Sequence, residues 1–299
     1  MSDYSRIFTG VHTALVTPFR EGRVAWEDLE SLVEQQIRAG VDGIVAVGTT
    51  GESPTLSHAE HIEVIQRVSA VANDRVPVIA GTGSNSTHEA VELSVEAEAA
   101  GADALLQVTP YYNKPNQEGL FRHFGAVAEK CGLPILLYSI PGRCVISIAV
   151  ETMARLHEAY PHITAVKEAG GSTDRVSEIV RTLGRGFPVL SGDDSMTLPF
   201  TVVGGSGVVS VASNLFVEPL RRMLAEAAGG DLVRARELHE RLSPLFAALF
   251  VEPNPVPAKV ALAQLGRISS EEVRLPLAPA TEGTRELLRG VLEPLADLA

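Results

Sequence analysis

Cysteine is scarce in this 299-residue chain, with only Cys131 and Cys144 present. The two lie too far apart for a CxxC unit and lack a neighbouring Cys/His cluster, so neither a disulfide framework nor a zinc site is indicated. Two reduced thiols are expected. Positive charge is also in deficit: 25 Lys and Arg against 37 Asp and Glu give a formal net charge of −12. That balance argues against nonspecific binding to nucleic acid or to acidic membranes, and leaves open a local basic pocket for a small anion. No window approaches the roughly 18 apolar residues of a membrane span. The opening MSDYSRIFTG lacks the charged start and apolar stretch of a secretory signal. A cytoplasmic protein is therefore expected. GTTGES from Gly48 and GTGSNS from Gly81 supply neither the GxGxxG dinucleotide fingerprint nor the Lys-Ser/Thr ending of a P-loop.

What the chain does contain is a regular alternation. Short apolar segments begin at Val11, Gly43, Pro77, Ala104, Pro134, Ile163, Pro188 and Gly207, which makes eight candidate strands. Helix-like stretches lie between them, including 26–39, 57–71, 87–100 and 118–130, the last stopped by Gly132. Strands alternating with helices imply a parallel sheet, and eight units close a (β/α)₈ TIM barrel. An open doubly wound sheet is the competing architecture. After about Pro219 the strand signals stop, and 221–250, 256–265 and 281–292 read as further helices. The expected division is a catalytic barrel over 1–230 and a C-terminal helical extension over 231–299, packed on the barrel.

A TIM barrel carries its chemistry at the C-terminal ends of its strands. Those ends hold Thr49, Thr50, Gly51 and Glu52 after the second strand, Thr109, Tyr111 and Tyr112 after the fourth, Tyr138 on the fifth and Lys167 on the sixth. Lys167 follows the apolar Ile163-Thr164-Ala165-Val166. Burial there would favour the neutral, nucleophilic amine that forms Schiff bases, whereas a side chain reaching water would be an ordinary snorkelling lysine. Period-two alternation puts Lys167 on one face with Ala165 and Ile163, and Tyr138 on one face with Leu136 and Ile140. If both faces point inward, Tyr138 becomes a candidate proton shuttle; otherwise its ring simply fills core. The backbone of GTTGES could hold a carboxylate or form a plain turn, and Arg143 in PGR suits bidentate carboxylate recognition. His58 and His61 sit at i, i+3 near Glu52 without HExxH or a convincing third ligand, so no metal is expected. Asp193 and Asp194 read as helix caps.

Taken in order, GTTGES, VTPYYNKP, LYSIPGR, VKEA, LSGDD and LFVEPNPVPAK resemble the dihydrodipicolinate synthase family. That family belongs to the pyruvate-dependent class I aldolases, which also include N-acetylneuraminate lyase. The resemblance runs from about Gly10 to the C-terminus. It implies a (β/α)₈ barrel with a C-terminal helical extension, usually in a homotetramer, with no metal or organic cofactor. It further implies that Lys167 forms an imine with pyruvate while Tyr138, Thr49 and Tyr112 relay protons, Tyr112 reaching into a neighbouring subunit. By the same resemblance, Thr50 holds the pyruvate carboxylate, Gly192 and Val209 line the pocket, and Arg143 receives the carboxylate of L-aspartate 4-semialdehyde. The implied product is 4-hydroxy-tetrahydrodipicolinate, in diaminopimelate and lysine biosynthesis.

Ser53, His58, His61, Asn85, Glu89 and Tyr111 resemble the family's L-lysine feedback site, in which Glu89 would meet the effector's amine. Three positions depart from the common pattern: Ser139 for asparagine, Cys144 for threonine, and Gly170-Gly171 for a hydroxyl-plus-glycine pair. They bear on the second substrate. Another pyruvate aldolase, acting on a sialic or sugar-derived 2-oxo acid, and a non-catalytic 2-oxo-acid sensor are the competing functions. Arg143 favours the synthase over the first, and Lys167, Tyr138, Thr49 and Tyr112 together argue against the second.

Overall fold

Eight short apolar strands, none able to bury both of its faces alone, close on one another in the computed structural model, which describes residues 7–298. The barrel strands are Gly10–Ala14, Gly43–Ala46, Val78–Gly81, Ala104–Val108, Ile135–Ser139, Ile163–Glu168, Val189–Ser191 and Gly207–Ser210. All pair in parallel, and the first pairs with both the second and the eighth to complete the ring. The eight strands expected from the sequence are therefore the eight observed. Residues 1–6, most of the stretch weighed as a secretory signal and the start of the expected 1–230 unit, lie outside the described residues, as does residue 299.

Alternation sorts the strand side chains into two layers. Val45, Ile79, Leu106, Leu136, Ala165, Leu190 and Val209 fill the barrel, while Ile44, Val78, Leu105, Leu137, Val166 and Val208 face the surrounding helices. One expectation fails here. Ile163 belongs to the outer layer and not to the face of Lys167, because the register shifts between the fifth and sixth strands: Ile135 pairs with Ile163, yet Leu136 pairs with Ala165. The bulge skips Thr164 and reverses the alternation below it.

The helices Trp26–Arg38, His58–Ala72, Thr87–Ala99 and Gln117–Ala128 fall where the periodicity put them. Side-chain caps start three of these: Ser57, in a capping box with Glu60, Ser86 and Asn116. The single helical stretch read over 221–250 is instead two helices, Val217–Ala228 and Leu232–Ala248. Gly229 and Gly230 break it, the latter at a φ of +89° that only glycine adopts without strain. Val256–Gln264 and Glu282–Leu292 complete the C-terminal part. Among the described residues no helix is long and apolar enough to cross a membrane.

The C-terminal part returns to the barrel through buried charge. Lys259, fully buried, places Nζ 2.5 Å from Oε1 of Glu52, itself fully buried, and donates a second bond to the Glu272 carbonyl at 2.8 Å. The Arg274 amide donates to the other Glu52 oxygen at 3.1 Å, and its guanidinium grips both Glu60 oxygens at 2.6 and 2.9 Å. A short hairpin, Phe19–Arg20 with Arg23–Val24, brings the Phe19 ring under both cations, at 4.0 Å from Lys259 and 4.3 Å from Arg274. Breaking one partner of such a pair strands a buried charge. Lys259→Met should lower the unfolding free energy by about 3–5 kcal/mol. The double variant Lys259→Met/Glu52→Gln should lose less, and equal urea midpoints for the two would show that the charge pair does not carry this contact.

Candidate active site

The turn after the second strand is forced into shape by its surroundings. Val47 and Glu52 bracket it with left-handed backbone, at φ +49° and +54°. At Gly51 a Cβ would lie 3.0 Å from the Val47 Cα, so any larger residue would have to push that backbone aside. The amides of Gly51, Glu52 and Ser53 bond back to Thr49 and Gly48 carbonyls, which uses up inside the turn three of the groups that could have met a carboxylate. Thr17 donates to the Gly51 carbonyl at 2.8 Å, and Asn254 Nδ2 donates to Thr50 Oγ1 at 3.0 Å. The hydroxyl of Thr50 is thereby fixed by a residue 204 positions away.

Tyr138 and Lys167 are register partners on adjacent strands and both are buried inside the barrel. The Lys167 Nζ lies over the Tyr138 ring, 4.1 Å from its centroid. Burial brings the Lys167 pKa down to about 7; the Asp194 carboxylate resists that shift and the Arg143 guanidinium adds to it. The same burial pushes Tyr138 up to about 12, opposed by Arg143 and by a side-chain hydrogen bond with Thr49. Near neutrality the lysine amine is thus available as a nucleophile while the phenol keeps its proton, and the phenol is linked to a second hydroxyl. A Cβ at Gly192 would sit 3.1 Å from Lys167 Cε and 2.7 Å from Ala169 Cβ, so the glycine makes the space in which the lysine lies. Val209 on the eighth strand belongs to the same inner layer.

A cavity of about 250 Å³ has Thr49, Tyr138, Arg143, Cys144, Ser53 and Tyr111 among its walls, whereas Lys167 is not one of them. Arg143 stands exposed on a single helical turn, Pro141–Cys144, and not in an irregular loop. Both cysteines are free and buried, and burial raises the Cys144 thiol above its ordinary pKa. Tyr112 is not brought to Tyr138 within this chain. It is 90 % exposed, at a φ of +70° that a bulky residue rarely adopts.

The six candidate effector residues divide. Ser53 and Tyr111 line the cavity shared with Thr49 and Tyr138. His61 is buried, bonds the Gly81 carbonyl through Nε2 at 2.9 Å and is driven down to about 4 by burial, so it is neutral near pH 7. Glu89 is held by the Ser84 hydroxyl and lies close enough to oppose that shift of His61. The Asn85 carbonyl accepts from Asn113 at 2.8 Å. His58 turns to Glu96 at 2.9 Å on a half-exposed helix face, away from the cavity walls. Among the described residues no three His, Cys, Asp or Glu side chains converge as a metal cluster.

Three residues of the site's support were not read from the sequence. Asp193 is the cap expected, its Oδ1 accepting from the Ser195 amide at 2.9 Å, but Asp194 is not. Asp194 is buried and accepts from the Ser210 hydroxyl at 2.5 Å and from the Val211 and Ala212 amides at 3.0 Å. Asn254 and Lys259 lie in LFVEPNPVPAK, and nothing in their spacing announces a return to the GTTGES turn. Of the departures, Gly170 has a local cause: a Cβ there would meet the Glu168 carboxylate at 2.6 Å, which holds the Gly170 amide at 2.8 Å and Arg175 Nε at 2.8 Å.

Comparison with known proteins gives a family for nearly the whole chain. The Dihydrodipicolinate synthetase family matches residues 7–294. A 4-hydroxy-tetrahydrodipicolinate synthase of Methanocaldococcus jannaschii is 50% identical over 289 residues, covering 97% of this chain and 99% of that one. A solved dihydrodipicolinate synthase from Cyanidioschyzon merolae with lysine bound has a TM-score of 0.95 at 42% identity, covering 98% and 100% of the two chains. Another, the chloride-inhibited enzyme of Acinetobacter baumannii complexed with pyruvate, has a TM-score of 0.93 at 43% identity, with 98% and 100% covered.

Raising the pH removes the proton from Lys167, so its reactivity should climb through about pH 7 and level off well below the ordinary lysine range. Competitive acetylation read by peptide mass spectrometry measures this directly. A midpoint near 10 would contradict the burial argument.

Proposed function

Since this chain belongs to the dihydrodipicolinate synthetase family, we propose that it condenses pyruvate with L-aspartate 4-semialdehyde to form 4-hydroxy-tetrahydrodipicolinate, in diaminopimelate and lysine biosynthesis. The observation that carries this reading is the amine of Lys167, buried against the Tyr138 ring with its pKa brought to about 7. The neutral Nζ attacks the keto carbon of pyruvate, and Tyr138, bonded to Thr49, supplies the proton with which the hydroxyl leaves as water. The protonated imine is an electron sink, so a methyl proton is lost and an enamine forms. Its terminal carbon attacks the aldehyde of the semialdehyde, whose oxygen takes up a proton. The amine of that substrate then closes the ring on the imine carbon and displaces Lys167, which regenerates the free amine.

In this scheme Thr50 holds the pyruvate carboxylate and Arg143, at the cavity wall, receives the carboxylate of the second substrate. That cation favours the synthase over a sialic or sugar-acid aldolase. Borohydride added with pyruvate should fix a mass adduct on Lys167, located by peptide mapping, and a folded protein without it would sink the Schiff-base mechanism. Arg143→Ala should still trap pyruvate while losing at least about tenfold in semialdehyde turnover; unchanged turnover would remove its assigned role.

Tyr112 supports a second part of the reading. A tyrosine held outward at 90 % exposure on left-handed backbone is placed to meet another subunit. Placed in a neighbouring subunit's cavity it would complete the relay there, within a homotetramer. L-lysine is the proposed feedback inhibitor, supported by Ser53 and Tyr111 at the cavity wall and by the lysine bound in the C. merolae relative. If sites are shared between chains, mixing inactive Lys167→Ala with inactive Tyr112→Phe should restore part of the activity, because some hybrid sites then hold both native residues. No recovery after subunit exchange would confine each site to one chain.

A further inference from the structure

Thr49 and Thr50 are adjacent hydroxyls with different neighbours. Thr49 bonds the phenol of Tyr138, whereas Thr50 is met by Asn254, which arrives from the segment between the helices Leu232–Ala248 and Val256–Gln264. We propose that Asn254 is a positioning residue of the pyruvate site, which orients the Thr50 hydroxyl so that its single proton is donated to the substrate carboxylate. This rests on the reading of Thr50 as the carboxylate-holding residue.

The direction of the bond carries the argument. With Asn254 Nδ2 facing Thr50 at 3.0 Å the Thr50 oxygen is the acceptor, while the Asn254 Oδ1 on the other side of the amide is buried without a hydrogen-bond partner. A hydroxyl whose lone pair is engaged by one partner must aim its proton elsewhere, and accepting a bond polarises the O–H for donation. Both residues are buried, Thr50 3 % and Asn254 7 % exposed, so water competes little for either group. The ends of the arrangement are also fixed. The Val256 amide bonds the Pro253 carbonyl at 2.9 Å, the Lys259 amide bonds the Pro255 carbonyl at 3.0 Å, and Lys259 is clamped to Glu52, two residues beyond Thr50. The segment and the turn are thus joined at two points. The role left to Thr50 is also consistent with the turn itself, where three neighbouring amides are already committed.

Asn254→Leu removes the donor without adding charge, and Asn254→Asp keeps the shape but reverses the bond, since a carboxylate takes the Thr50 proton for itself. Each should raise the pyruvate concentration for half-maximal borohydride trapping at Lys167 by about tenfold, with the semialdehyde half-saturation at saturating pyruvate within about twofold of native. In a Thr50→Val background, Asn254→Leu should add nothing further. A purely structural asparagine would lower the melting temperature and leave the trapping curve in place, or would raise it by the same factor with and without Thr50; either result overturns the proposal. Should Asn254→Leu fail to fold, the near-isosteric Asn254→Asp gives the same readout. A native protein that traps no pyruvate removes the Schiff-base reading and this inference together, whereas native trapping with unshifted variants removes this inference alone.

Discussion

An ammonium ion inside an apolar barrel is costly, and the site depends on that cost. The inner layer of Val45, Ile79, Leu106, Leu136, Leu190 and Val209 excludes water from around Lys167, and desolvation is the largest influence on its pKa. The surrounding choices preserve that condition. Gly192 gives the stem room, Tyr138 offers a ring face where a carboxylate would have held the proton, and Asp194, the one opposing charge, is committed to Ser210 and two amides. Its carboxylate is itself pushed up to about 6 by burial, so it is still mostly ionised near pH 7 and its pull is outweighed by desolvation of the lysine.

Lys259 shows how the same residue type is used for the opposite purpose. It is buried like Lys167, but Glu52 meets its ammonium at 2.5 Å and the Glu272 carbonyl accepts a second hydrogen bond from it at 2.8 Å. Burial brings its pKa to about 8 against these partners, so the charge survives at neutral pH and the pair acts as a fastener. In sequence the two look alike, each following a short apolar run. The difference lies in a carboxylate supplied to Lys259 from 207 positions away and a carbonyl from 13, and in partners withheld from Lys167.

That contrast marks how far the sequence could be read. The eight strands, the first four crossover helices and the pairing of Tyr138 with Lys167 follow from periodicity, because one face of every element must be buried. The bulge at Thr164 was not legible, since alternation carries no sign of an extra residue until the partner strand's register is known. Nor was the division of Asp193 from Asp194: adjacent carboxylates look equivalent, and only the fold decides which caps a helical turn and which turns inward. The Gly229-Gly230 break is visible in composition, but the helical pattern continues on either side of it and masks the interruption. Asn254 escaped for a plainer reason, as one asparagine among prolines gives no hint of the hydroxyl it meets across the chain.

The turn 48–53 is where these arguments converge. Thr49 at one end bonds Tyr138, Ser53 at the other lines the same cavity beside Tyr111, and between them Thr50 and Glu52 are held by Asn254 and Lys259. A ligand that engages Ser53 would therefore act on the segment that carries the Thr49 and Thr50 hydroxyls, without any longer path between sites. Binding linkage is reciprocal, so whatever such a ligand takes from pyruvate affinity, pyruvate takes from the ligand. The size of that exchange is limited by how far the turn can move. With its own amides bonded inside it and Glu52 locked in a buried ion pair, the turn has little travel. Coupling through it must then come from electrostatics and small hydroxyl reorientations, for which Thr49 and Thr50 are the groups in place.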